Sequence, residues 1–189
     1  MPTHAHAALA LSVSLATALA ACGKPPFVPR YAPGASGASI TVTSPAFNQG
    51  SRIPVDLTCD GKEEMPPLVL SAPPEGTKSL LVLVDDPDAP NGTFTHLVLF
   101  NVAPDVTKIP GGGELTGLGD AARFGLNDFS AARYGGPCPP RGEAHRYRYR
   151  VIALDTMLQL PEGAPKGQVD EAIDGHILGE GALTGHFAR

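Results

Sequence analysis

LLVLVDDPDAPNGTFTHLVLFN, residues 80–101, decides how the chain is read, because it sets two carboxylates and a histidine between two runs that both look buried. Residues 80–84 and 97–100 are apolar without alternation, the pattern of strands covered on both faces. Between them, DDPDAPNG is turn chemistry: Pro87 and Pro90 fix φ, and Asn91-Gly92 supplies positions that accept positive φ. Asp86 and Asp88 flank Pro87 two residues apart, so along an extended backbone their side chains leave on the same side. His96 opens the returning strand. If the two strands are neighbours, it arrives at the same end of the sheet as the carboxylates. The same residues also fit a polar turn whose aspartates cap loop amides, and this stretch alone leaves both readings open.

Length and composition narrow the class. A chain of 189 residues holds one domain with a real core and is short for two. Charged residues make up only 17%, there are 22 glycines and 20 prolines, and tryptophan is absent. Few charges and much turn chemistry favour short strands joined by loops over a helical bundle. The formal net charge of −5 argues against nucleic acid as a partner.

Residues 1–21 contain no Asp, Glu, Lys or Arg, and residues 9–21 are small and apolar. That run is too short to cross a bilayer as a helix and reads as the apolar region of a secretory signal. It ends in Leu19-Ala20-Ala21-Cys22, which resembles the bacterial lipobox. The resemblance implies cleavage before Cys22 and thioether lipidation of that cysteine, hence a membrane partner through the lipid. Histidines stand in MPTHAHAA where such signals usually carry lysine or arginine. Stable anchoring takes two acyl chains at about 0.8 kcal/mol per buried methylene, which a diacylated Cys22 would meet. Gly23 after the cysteine resembles the sorting pattern that places lipoproteins on the periplasmic side of the outer membrane of a diderm bacterium. The expected organisation is a signal over 1–21, a lipidated cysteine and Pro/Gly/Ala/Ser tether over 22–39, and one domain over 40–189.

Within that domain, ITVTSPAFNQG opens with a β-branched strand ending at Pro45, and PPLVLSAPPEG is another brief strand. RIPVDLTCDG carries Pro54 and suits an edge strand. Residues 102–132 form a long glycine-rich loop region that either packs on the surface or covers a site. In YGGPCPPRGEAHRYRYRVIALD, residues 134–155, Gly135-Gly136 leaves amides with no side chain in the way, the chemistry of an anion-binding nest. The second half alternates, so His145, Tyr147, Tyr149 and Val151 share one face and Arg146, Arg148 and Arg150 the other. The arginine stripe fits a solvated strand face or a contact with anionic lipid or glycan. Val169, Ile173 and Ile177 predict an amphipathic helix over 166–179, weakened at Gly175, before a short strand or tail. There is no internal repeat.

TSPAF, TCDG, PPL, GTKSL, VDDPDAP, the strand His96 with Asn101 five residues on, YGGPCPP, HRY and the terminal HIL and LTG occur in that order across residues 43–189. The chain resembles the phosphatidylethanolamine-binding protein family, in its bacterial branch similar to Raf kinase inhibitor protein. The resemblance implies a mostly β fold with a large central sheet, a smaller second sheet and one or two C-terminal helices. It also implies a small pocket for phosphate-type anions or phospholipid head groups, formed by Asp86, Asp88, His96, Gly135, Gly136, Pro140, His145 and Tyr147. Departures are Leu70 where tryptophan is expected, Thr95 and Leu97 where aromatics usually flank the histidine, and Phe187 where a tyrosine often closes the pocket.

Two imidazoles, glycine amides and the Tyr147 hydroxyl can donate to phosphoryl oxygens, while an aspartate fixes an imidazole tautomer and favours its protonation. This reading requires no cofactor and no metal, since His96, His145 and an aspartate lack close ligand spacing. A phosphoester or lipid hydrolase using the same histidines and aspartates is the enzymatic alternative, although no G-x-S-x-G, Walker A or HExxH motif is present. A protease- or kinase-inhibitor-like interaction protein is a third. Cys59 and Cys138 fit either a disulfide or two separate thiols.

Overall fold

The computed structural model describes Met1 and residues 37–113 and 116–189. The expected signal, Cys22 and most of the expected tether lie outside the described residues. In chain order the strands are β1 (Ala38–Ser39), β2 (Val42–Thr43), β3 (Leu68–Leu70), β4 (Ser79–Asp86), β5 (Phe94–Val102), β6 (Lys108–Ile109), β7 (Arg123–Phe124), β8 (Ala144–Leu154) and β9 (Ile177–Ala188), with helix α1 (Lys166–Ile173) before the last. A six-stranded sheet runs β1-β9-β8-β4-β5-β7, and a three-stranded sheet runs β2-β3-β6. The protein is therefore mostly β with one C-terminal helix.

The two apolar runs of the sequence are antiparallel neighbours, with β8 on the far side of β4. Their unbroken hydrophobicity follows from coverage on both faces. On one face Leu80, Val82, Val84, Leu97, Leu99, Tyr147, Tyr149 and Val151 pack toward the small sheet. On the other, Leu81, Leu83, Val98, Phe100, Ile152 and Leu154 meet Val169 and Ile173 of α1. The layers are thus small sheet, large sheet, helix.

Several local expectations change. The segment expected as an edge strand around Pro54 is a 3₁₀ turn, Val55–Leu57, preceded by one bridge from Arg52 to His186. The expected helix over 166–179 stops at Ile173, because Gly175 adopts φ 80° and turns the chain into β9. Ile177 is consequently the first residue of a strand, and the expected tail is a 12-residue strand paired along β8. Its glycines concealed it, since glycine weakens strands. Here one of them admits a close neighbour: a Cβ at Gly185 would lie 2.6 Å from Cγ1 of Ile53. The 102–132 region holds β6, β7 and a turn at Gly111–Gly113. β1 starts at Ala38, ahead of the expected boundary at Ile40, and pairs in parallel with Gly179 and Glu180.

Two irregularities in β5 matter. The register with β4 shifts between Leu80 and Val82 and again between Val84 and Asp85. At the first, Asn101 takes φ 58°, and its amide brackets Leu158, with Nδ2 donating to the Leu158 carbonyl at 2.9 Å and Oδ1 accepting from the Leu158 amide at 2.8 Å. Asn101→Ala leaves two buried backbone groups unpaired and keeps the left-handed backbone without the side chain that tolerates it. We expect it to cost about 3 kcal/mol in urea unfolding; a loss below about 1 kcal/mol would refute that account.

Candidate functional site

The second irregularity aims His96. Val84 pairs with Leu97 and Asp85 with Thr95, so one extra residue of β5 stands against β4 there. Strict alternation from Val98 would send His96 to the helix side; the bulge returns it to the face of Tyr147. The two rings meet edge to face with centroids 5.3 Å apart. Thr95 faces the other way, its Oγ1 donating to Asp85.

β8 supplies the other half, and its alternation is as the sequence predicts. His145 is 4% exposed, and its Nδ1 donates to Oδ2 of Asp86 at 2.8 Å. The second nitrogen, Nε2, lies 3.2 Å from Oε2 of Glu143. Burial works against a charge on His145, but the hydrogen bonds from Asp86 and Glu143 outweigh it and raise the imidazole above its ordinary value. His96 goes the opposite way. Burial depresses it, and the pull of the Gly135 carbonyl and of Asp86 does not compensate.

Because Nδ1 of His96 contacts the Gly135 carbonyl at 2.9 Å, that nitrogen carries a proton and donates. Neutral His96 therefore presents a lone pair at Nε2. Tyr147 is fully buried, and its hydroxyl lies beside the Asp86 carboxylate and the Cys138 backbone without a well-formed hydrogen bond to either. Burial, reinforced by the charge of Asp86, raises its pKa well above the ordinary phenol value, so it stays a donor.

The expected pocket residues do not all play the expected parts. Asp86 sits with the histidine, whereas Asp88 departs from it. Past Pro87 the chain has left β4, the Asp88 amide donates to Oδ1 of Asp86 at 2.9 Å, and the turn breaks the extended geometry that would keep both side chains together. The Asp88 carboxylate takes the Arg146 guanidinium, with Nη2 2.6 Å from Oδ1, and its pKa is lowered to about 2, chiefly by that hydrogen bond. Gly135 forms no free nest, since its amide donates to the His96 carbonyl at 3.0 Å. Its missing side chain makes room instead for Phe129, whose Cε2 would lie 2.6 Å from a Cβ there. Gly136 similarly lets the chain pass the Leu57 carbonyl, 3.1 Å from its notional Cβ. Pro140 is exposed and closes the turn to Glu143, while Pro137 and Pro139 are buried.

Cys59 and Cys138 are joined, with Cα atoms 5.4 Å apart, and the Cys59 amide donates to the Pro137 carbonyl. This ties the GGPCPP segment to the 3₁₀ turn. Phe187 lies opposite His145 on β9 and offers no hydroxyl. Leu70 is buried in the small sheet. Aromatic neighbours of His96 come from Phe94, at 5.2 Å between centroids, and Phe129, at 5.4 Å. The sequence reading named neither phenylalanine, nor Glu143. Phe94 and Glu143 each lie two residues from a histidine that it did name. Of the arginine stripe, Arg146 is held by Asp88, and Arg150 by Glu180 and Asp85.

The family model described as phosphatidylethanolamine-binding protein matches residues 43–188. The chain belongs to the phosphatidylethanolamine-binding protein family. A UPF0098 protein of Methanothermobacter thermautotrophicus is 47% identical over 148 residues, covering 76% of this chain and 95% of that protein. A Mycobacterium tuberculosis protein that bears the lipoprotein name LppC is 34% identical, covering 93% of this chain and 92% of that one. Among solved structures, Escherichia coli YbcL, titled a member of the mammalian family, superposes with a TM-score of 0.74 at 31% identity, over 80% of this chain and 99% of that one. Among the described residues no helix is long and apolar enough to cross a membrane, and no cluster of three or more His, Cys, Asp or Glu could hold a metal ion.

Opposite shifts at the two histidines of this family member separate their titrations. His145, raised, contributes stability that is complete below pH 6.5 and is lost as pH rises through its folded value. His96, lowered, contributes stability that is complete above pH 6.5 and is lost as pH falls from there through its folded value. Imidazole resonances followed by NMR should titrate on opposite sides of pH 6.5; coincident midpoints would refute the assignment.

Proposed function

We propose that this protein binds phosphate-type anions, free or as the head group of an organic phosphate, in the pocket between His96, His145 and Tyr147. The observation that carries the reading is the Tyr147 hydroxyl. A buried O–H with no well-formed hydrogen bond to its neighbours Asp86 and Cys138 leaves up to roughly 1–3 kcal/mol for a bound anion to recover. His145 adds a second donor when Nε2 is released from Glu143, whose carboxylate is 56% exposed and able to swing into solvent. His96 adds a third once protonated, or accepts the proton of a monoprotonated phosphate at Nε2. Binding takes up close to one proton when His96 is protonated or when a monoester arrives as its unprotonated dianion, and none when inorganic phosphate arrives as HPO4(2−) and donates its own proton to Nε2. Asp86 holds His145 in the donor tautomer and supplies the counter-charge that keeps it protonated.

We further propose the division of the chain into a signal over 1–21, a tether from lipidated Cys22 to residue 39 and a binding domain over 40–189. The lipoprotein name of the Mycobacterium tuberculosis relative, which matches across 93% of this chain, supports envelope association. Such an anchor would hold the pocket within a tether's length of lipid head groups.

Calorimetric titration of the full chain with inorganic phosphate and phosphoethanolamine tests the pocket. Saturable binding is expected, weakened about tenfold or more by Tyr147→Phe and abolished by His145→Ala, while Glu143→Gln tightens it by removing the internal competitor. Absence of binding by the folded wild-type chain, or equal affinity in Tyr147→Phe, would overturn the reading. For the anchor, Cys22→Ala should move the protein from the membrane fraction to the soluble one; an unchanged distribution would remove the lipid from the account.

A further inference from the structure

Phe129 is 48% exposed, yet it is among the most firmly positioned side chains at the mouth of the site. Its ring meets Phe94 edge to face at 4.8 Å and His96 at 5.4 Å. Below, it rests on Gly135, where any side chain would collide with it. The loop that carries it is organised by one residue, Asn127. Oδ1 accepts the Phe129 and Ala131 amides at 3.0 Å each, and Nδ2 donates to the carbonyls of His96 and Arg133. Asp128 is turned away, its carboxylate accepting the Thr95 amide at 2.6 Å. An exposed aromatic surface costs solvation, and three devices here hold it in place: the Asn127 turn, the glycine below, and the ring contacts.

Resting on the anion-site reading, we infer that Phe129 and Phe94 form an aromatic shelf that sets ligand specificity, favouring an organic phosphate with a planar or apolar substituent over inorganic phosphate. The anion sits on the donors around His96, and its substituent leaves the pocket across the open part of the Phe129 ring. Planar groups gain most there, by offset or edge contact with a ring whose motion is already restricted. The specificity therefore resides in a loop outside the strands that hold the anion, which is where binding selectivity varies on a rigid scaffold.

The test compares phenyl phosphate with inorganic phosphate on the full-length chain by calorimetry. The wild type should prefer phenyl phosphate about tenfold. Phe129→Ala should bring the ratio of the two affinities close to one, and Phe129→Leu, which keeps bulk without a ring, should leave it between. Because the readout is a ratio, a general loosening of the pocket that weakens both ligands alike leaves it unchanged and overturns the shelf. Phosphate binding by the wild type with no preference for the aryl ester overturns the shelf and leaves the anion site standing. Binding of neither ligand by a chain that melts cooperatively overturns both. Thermal melting of both variants identifies an unfolded one, and Phe129→Leu then carries the test.

Discussion

A carboxylate buried at the end of a central strand must be neutralised, and most of the site follows from how Asp86 meets that demand. Its partner has to come from the adjacent strand, since β4 is covered on both faces and the turn beyond it leads away from the core. β8 lies alongside in fixed register, and its first inward residue is His145. A lysine there would be flexible and strongly hydrated, whereas an imidazole delivers one donor to Asp86 and keeps a second nitrogen pointing outward. In this structure the second nitrogen lies 3.2 Å from Oε2 of Glu143, a group on the surface. The pair thus does two things at once: it neutralises the buried charge and offers a directed donor at the pocket mouth.

His96 is built on the reverse logic. Three aromatic rings surround it and its Nδ1 proton is spent on a carbonyl, so it is desolvated and held neutral. Two imidazoles on the same face of one sheet, one biased toward charge and the other against it, can share a proton with a ligand more readily than two equivalent ones. Such separation of adjacent titrating groups is a mark of functional sites, although structural networks produce it too. Between them the Tyr147 hydroxyl, beside Asp86 and the Cys138 backbone, has no well-formed hydrogen bond among the described residues, which is unusual in a purely structural cluster.

How much of this was legible in the residues depended on periodicity. The first seven residues of β8 alternate, and their two faces could be assigned without a structure. The central strands β4 and β5 were equally clear as apolar runs. The direction of His96 was not, because a one-residue bulge inverts it and nothing in FTHLVLFN marks the bulge. Asp88 was misplaced for a related reason: the extended geometry that pairs it with Asp86 ends at Pro87. The glycines misled in both directions. Gly135 looked like an amide donor and is a space for Phe129, while those of β9 hid the longest strand. The Cys59–Cys138 bridge closes a long loop between two segments that no local pattern connects, so only the fold could choose between bridge and free thiols.

Neighbouring residues in three segments divide their work between the two sides of the large sheet. Asp86 serves the pocket and Asp85 the opposite face, where Arg150 reaches it at 3.4 Å. His96 enters the pocket, while Thr95 hydrogen-bonds Asp85 behind it. Phe129 covers the pocket rim, while Asp128 holds the Thr95 amide. Asp86, His96 and Phe129 are therefore each adjacent in the chain to a residue fixed in a polar network on the far side, which α1 helps to line through Lys166 and Asp170. A network of this kind anchors backbone rather than side chain, and backbone position is what sets where three donors converge. The geometry of these side chains is held from behind, while Glu143 and the open ring of Phe129 stay exposed.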